Sequence, residues 1–208
     1  MPRLSPPRAG IFLLSGYTLR VMEIPLFPLN TVLFPGGPLP LRIFESRYLD
    51  MISSCMKQNA PFGVLLIREG HEAGPAAMHT VGTLATVTDW YQGSDGLLGI
   101  TAVGTERFEL LAAARQHDGL YVGEVALLPA VPSMRLPEAH QGLAHILENV
   151  LNELGRLYED LDRHFDDATW VTYRLIEVLP AALEQKQEVL ESADIASGLE
   201  LIAQLIRT

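Results

Sequence analysis

The spacing of apolar residues changes once along this chain of 208 residues, and that change limits what it can become. From Glu23 to about Leu128, short apolar runs alternate with Gly and Pro, the pattern of strands and turns. Beyond Pro129, Pro132 and Pro137 the apolar residues recur every three or four positions, which is the period of helices. The expected plan is α+β, with a β domain over 22–130, a helical bundle subdomain over 131–208, and residues 1–21 as an extension.

Within the β half, Ile24–Leu29 reads as a strand, but Pro25 and Pro28 suit it to an edge or an irregular path. Phe34-Pro35-Gly36-Gly37-Pro38 reads as a turn, and Leu39–Phe44 as the next strand. A helix is predicted from Glu45, because Tyr48, Met51, Ile52 and Cys55 fall at i, i+3, i+4 and i+7; Asn59-Ala60-Pro61 ends it. Phe62–Arg68 reads as a strand covered on both sides, and Glu69–Thr80 as a loop. Two hairpins are expected. Val81–Tyr91 and Leu97–Gly104 flank Gly93–Gly96, while Arg107–Arg115 and Leu120–Leu128 flank Asp118-Gly119. Six or seven short strands imply a barrel or folded sheet.

In the second half, Leu143, Ile146, Val150, Leu154, Leu157 and Leu161 are expected to form one buried helical face. A second helix starts near Asp167, capped by Asp166 or Asp167, packs Val171, Leu175 and Val178, and stops at Leu179-Pro180. Helices over Ala181–Leu190 and Ile195–Ile206 follow, the last capped by Ser192 or Asp194.

Charge restricts the partners. Residues 1–135 hold 10 Arg/Lys against 11 Asp/Glu, and residues 136–208 hold 5 against 14, which accounts for nearly all of the net −10. Phosphate backbones are held by clustered Lys and Arg, so nucleic acid is not expected as a partner. One cysteine, Cys55, excludes an internal disulfide and suits a reducing, cytoplasmic setting. No apolar run nears the ~20 residues that cross a bilayer, so no membrane partner is expected either. Residues 1–21 carry Arg3, Arg8 and Arg20 and no acid, with a four-residue apolar core at Ile11–Leu14. That core is short for a signal peptide, and Met22 is the expected biological start.

The stretch Ile24-Pro25-Leu26-Phe27-Pro28-Leu29-Asn30-Thr31-Val32-Leu33-Phe34-Pro35-Gly36-Gly37, followed by Pro40-Leu41-Arg42-Ile43-Phe44-Glu45-Ser46-Arg47-Tyr48-Leu49, resembles the opening of the Lon protease N-terminal domain. Phe62-Gly63-Val64, Val81-Gly82-Thr83-Leu84-Ala85 and Val103-Gly104-Thr105-Glu106-Arg107-Phe108 fall in the same order as in that family. Leu179-Pro180, Glu184-Gln185-Lys186-Gln187 and Leu190-Glu191 are similar to its helical tail. The resemblance covers about 22–208. It implies a PUA-like β pseudo-barrel followed by an α-helical subdomain, used in Lon to engage protein substrates. It also implies a free-standing member of the family, without the ATPase module and the Ser–Lys protease module. No G-x-x-x-x-G-K-[ST] occurs in the sequence.

The expected function is therefore non-catalytic binding of unfolded or extended client segments, with delivery to a protease or chaperone on another chain. Strand addition at a barrel edge is one route to such binding. The alternatives are a small hydrolase, or RNA binding by analogy with other PUA-like domains. No cofactor is implied.

Phe34, Pro35, Phe44, Trp90 and Tyr91 are the candidate peptide-binding residues, since large apolar groups beside loops mark interfaces when exposed. Each is equally compatible with a core position. Ser54-Cys55-Met56-Lys57 matches S-x-x-K, but the S-D-N and K-T-G elements that complete that site are absent. Cys55 lies on the apolar stripe of its helix and reads as structural. Asp160, His164 and Asp167 would share a helical face that could take a metal; Glu159–Arg163 and Arg163–Asp167 pairs are the structural reading. Glu45 is expected to pair with Arg42 or Arg47.

Overall fold

The computed structural model describes residues 10–14, 17–159, 161–192 and 194–207. It divides into two compact units, Met1–Pro129 and Ala130–Thr208.

Among the described residues, the first unit has eight strands: β1 (Gly10–Leu14), β2 (Tyr17–Leu29), β3 (Pro38–Ile43), β4 (Phe62–Gly70), β5 (Ala76–Met78), β6 (Val81–Gln92), β7 (Leu98–Arg115) and β8 (Tyr121–Leu127). Neighbours run β2–β8–β7–β6–β4, and a parallel β2–β4 pairing closes the ring into a pseudo-barrel. Parallel neighbours need a crossover, and the connection through β3 and helix α1 (Ser46–Gln58) supplies it.

The two prolines of β2 fit because the strand changes partner between them. Residues Val21–Leu26 pair with β8, and Leu26–Leu29 with β4. Each proline therefore has a ladder on one side only, and its missing N–H faces the other. β2 also begins earlier than the sequence suggests. Residues 17–21 pair with β1, and Val21 is 4% exposed, so the described part of the expected extension belongs to the sheet. Residues 1–9 lie outside the described residues.

β7 is one strand of 18 residues, not two separated at Thr105-Glu106. It holds β3 and β6 along its first part and β8 along its last. Bulges at Thr83/Ala85, Val87/Asp89 and Leu110/Ala112 bend the ladders enough for a long strand to wrap the barrel. Both hairpins use a three-residue loop ending in a left-handed glycine, Gly96 (φ 81) and Gly119 (φ 89). In each the aspartate before it, Asp95 or Asp118, accepts an N–H from Leu97 or Leu120. The Asp-Gly signal thus marks the turn, in its bulged form.

The sheet serves two cores, one on each face. Ile24, Leu26, Leu65, Leu84, Phe108 and Val125 pack together, and Phe27, Ile43, Phe62, Ala85 and Ile100 pack beneath α1. α1 buries Tyr48, Met51, Ile52 and Cys55 as its spacing predicts, and Asn59 closes it with φ 50.

In the second unit, α2 (Gln141–Leu154), a 3-10 turn (Gly155–Tyr158), α3 (Ala168–Val178), α4 (Leu183–Glu191) and α5 (Ile195–Arg207) form the bundle. Asp167 caps α3, accepting N–H bonds from Thr169 at 2.8 Å and Trp170 at 3.4 Å. The expected buried face of α2 is corrected. Leu143, Leu147 and Leu151 face the core, while Ile146 and Leu154 are 36% and 47% exposed. Two neighbouring apolar stripes, Leu143/Leu147/Leu151 and Ile146/Val150/Leu154, compete on this helix, and Gly155 (φ 64) ends it before Leu157 and Leu161 can extend the second one. The central helix α3 carries a charge that sequence gives no reason to bury. Arg174 is fully enclosed and meets Glu177 at 2.9 Å; Tyr158 donates to the same carboxylate at 2.6 Å. Burial raises the Glu177 carboxyl above the usual range, against the pull of Arg174.

Candidate functional site

The five apolar candidates separate into two groups. Phe34 and Pro35 sit where the 34–37 turn meets β7, with Gly36 donating to Gly104 O at 2.8 Å and Gly104 to Gly37 O at 2.9 Å. The Phe34 side chain is fully buried, so it is a core residue and not part of a binding surface. A turn rich in Pro and Gly reads as exposed, but here it folds over the barrel and carries its aromatic inward. Pro35 is half-buried beside it.

Phe44, Trp90 and Tyr91 belong to the opposite end of β3. They are 67%, 60% and 53% exposed, the three largest exposures among the large apolar side chains described. β3, β7 and β6 run side by side here. Arg42, Gly99 and Tyr91 are level with one another, as are Leu41, Ile100 and Trp90. Because side chains alternate along a strand, Tyr91 and Arg42 share one face, on either side of Gly99 and about 10 Å apart. Trp90 shares the other face with Ile100 and Leu41, and is exposed where Ile100 is buried. Phe44 follows the last residue of β3.

Gly99 is the residue that sequence reading missed. The ring of Tyr91 occupies the space that a Gly99 side chain would fill. The signal was available, because a glycine inside a strand marks a close approach. Arg42 pairs across the hairpin loop with Asp95, while Glu45 pairs with Arg47 at 2.7 Å. Of the two expected partners of Glu45, Arg47 is the one it takes, and Arg42 is engaged by Asp95 instead.

Arg47 holds this end of the unit together. Its guanidinium is buried, donates to Gly119 O at 2.8 Å and Glu72 O at 3.0 Å, and lies 4.7 Å from the centre of the Tyr48 ring. Tyr48 in turn stacks on Phe27 at 3.9 Å. Burial raises the Tyr48 hydroxyl to about 12 despite the adjacent Arg47 cation.

The other chemical candidates resolve into structural roles. Cys55 is 5% exposed, and burial pushes its thiol up to about 11, away from the thiolate that nucleophilic chemistry needs. Ser54 accepts from Gln58 at 2.7 Å. Residues 161–164 are not helical, so the spacing proposed for a metal face or for i, i+4 pairs does not apply. Arg163 donates to Asn152 at 2.8 Å, His164 meets Trp170 edge-on at 6.1 Å, and Asp160 lies outside the described residues. Among the described residues, no three His, Cys, Asp or Glu gather as metal ligands. None of their helices is long and apolar enough to cross a membrane. In the second unit a groove of about 450 Å³ is lined by Met134, Pro137, His140, Leu199, Glu200 and Gln204; His140 contacts Glu200 at 3.4 Å.

Residues 23–208 match the family model described as the ATP-dependent protease La (LON) substrate-binding domain. A crystal structure of a Lon N-terminal domain protein from Xanthomonas campestris is 34% identical, with a TM-score of 0.72 over 88% of this chain and 97% of that one. The N-terminal domain of a Mycobacterium avium complex Lon protease is 14% identical and shares the fold, with a TM-score of 0.60 over the same shares. The Lon protease of Anaeromyxobacter dehalogenans is 24% identical over 191 residues, which is 88% of this chain and 23% of that protein. The chain thus spans about a quarter of the length of the curated relatives it matches.

Proposed function

The chain belongs to the family of the LON substrate-binding domain, and on that premise we propose that it is a substrate-recognition module that binds unfolded or extended segments of other proteins. The observation that carries the reading is the exposed aromatic trio Phe44, Trp90 and Tyr91 at one end of the β3–β7–β6 sheet. Aromatic side chains bring large contact area with little rotamer entropy to lose, and here they offer it on both faces of one sheet end.

Binding alone needs no catalytic group, and none of the candidate nucleophiles sits in a suitable setting. In a cell the module would act as an adaptor, handing clients to a protease or chaperone. A cytoplasmic setting suits its single buried thiol.

The test is fluorescence anisotropy of labelled unfolded polypeptides titrated with the protein, beside folded-protein and RNA controls. Saturable binding to unfolded chains alone, weakened about tenfold or more by Trp90→Ala, supports the reading; an interfacial aromatic of this kind contributes on the order of 2 kcal/mol. Equal binding to RNA, or no binding to unfolded chains, overturns it.

A further inference from the structure

The same end of the sheet has an unpaired backbone. On the side away from β7, β6 pairs with β4 only through Thr83–Ala85. From Thr86 to Gln92 no strand lies beside that edge among the described residues. The direction of its backbone groups follows from the hairpin. Gly93 donates to Leu97 O at 2.8 Å, so that pair is hydrogen-bonded. By alternation Tyr91–Gly99 and Asp89–Thr101 are bonded pairs, and Gln92–Leu98 and Trp90–Ile100 are not. The N–H and C=O groups of Trp90 and Gln92 therefore turn outward, to the open side.

The other free edge of this sheet is closed to such pairing. Thr101 and Gly99 direct their backbone groups to β6, so the β3 residues level with them, Pro40 and Arg42, turn theirs away from β7. Pro38 is in phase with them, and neither proline has an N–H to offer. Prolines blunt the β3 edge; β6 has no proline between Thr86 and Gln92, and its bulge at Val87/Asp89 precedes the regular stretch 89–92.

β6 instead carries a removable cap. Asp89 Oδ1 accepts the Trp90 N–H at 2.8 Å, taking one of the outward donors. Asp89 is also the only formal charge on residues 86–92. A basic side chain brought alongside would pair with that carboxylate and release the N–H.

We propose that residues 88–92 of β6 accept a client segment as an added strand, and that the segment is extended, free of proline at its paired positions, and carries a basic residue that reaches Asp89. This deepens the client-binding reading above and rests on it. Trp90 and Tyr91 point to opposite faces of β6, so an added strand would have one aromatic neighbour on each face. Main-chain bonds supply affinity without regard to sequence, and Asp89 supplies the selection.

The experiment uses a labelled nine-residue peptide alternating Val and Thr with one central Arg. It is compared with two versions N-methylated at alternate residues along one backbone edge or the other, and with a version bearing Glu in place of Arg. The plain peptide should bind, and one methylation pattern should weaken it about 10-fold while the other leaves it unchanged, the loss of one or two hydrogen bonds. Gln92→Pro removes an outward N–H without touching the β6–β7 ladder, and should weaken binding similarly at unchanged melting temperature. Exchange of Arg for Glu should weaken binding to the wild type and have no effect on Asp89→Ala. If both methylated peptides bind as well as the plain one, or Gln92→Pro binds it fully, strand addition is overturned while binding through aromatic side chains stands. If no peptide and no unfolded polypeptide binds, both readings fall.

Discussion

Tyr91 lies over Gly99, its cross-strand partner, so that an exposed aromatic ring rests on bare backbone near the start of the long strand β7. A Cβ at position 99 would collide with the ring, and the exposed ring has solvent to move into. The position of a surface aromatic is thus set by a residue with no side chain.

Replacing Gly99 with Ala should therefore cost little stability, about 1 kcal/mol, at the low end of the range for overpacking, because the Tyr91 ring can swing into solvent. Client affinity should fall more than stability, since the ring is no longer held in place. Thermal unfolding and polypeptide anisotropy on the same preparation separate the two effects. A variant with unchanged affinity would remove Tyr91 from the binding surface.

Phe34 and Trp90 should behave in opposite ways. Phe34→Ala empties a fully buried site and is expected to cost about 3–5 kcal/mol in a urea titration. Trp90→Ala, at a side chain 60% exposed, should stay within about 0.5 kcal/mol of wild type and act on binding alone.

Arg47→Met should be among the most damaging single changes in the first unit. It leaves the partly buried Glu45 carboxylate without its cation and orphans the Gly119 and Glu72 carbonyls. A loss of about 3–5 kcal/mol is expected by denaturant unfolding. Arg47→Lys should recover only part of it, because an ammonium cannot reach separate acceptors in the fixed fork of a guanidinium.

Cys55 gives a pH signature. Its thiol titrates near 9 when unfolded and at about 11 in the fold, raised by burial. The folded state thus disfavours the thiolate, and this stabilisation is intact below pH 9. Between pH 9 and 11 it is lost as pH rises, by up to about 3 kcal/mol for a shift of this size. Cys55→Ser or Cys55→Ala should flatten that part of the stability profile. Alkylation of the native thiol at pH 8 should run about 100-fold slower than in the unfolded chain, from thiolate fraction alone.

The helix α1 was legible because its signal is local. Tyr48, Met51, Ile52 and Cys55 repeat at the helical period, and the structure buries those four together with Arg47. Both glycine-ended hairpins were legible for the same reason, since a left-handed residue is needed within three positions of Asp95 or Asp118. The face of α2 was not legible. When apolar residues occupy both Leu143/Leu147/Leu151 and Ile146/Val150/Leu154, periodicity alone has two solutions, and the neighbouring helices choose one.

The sequence by itself determined the class of the chain, its change from strands to helices near Pro129, the ends of most elements and the likeness to one family. These depend on period, on turn chemistry and on residues a few positions apart. Only the tertiary structure decided that β2 would change partner at Leu26 and close the barrel beside β4. It also decided that Phe34 would turn inward while Trp90 stayed out, and that Arg174 would be buried against Glu177. Each of these is a contact between residues whose meeting depends on the whole path of the chain, and burial is a property of that path. No local pattern records which side of an aromatic residue will face water.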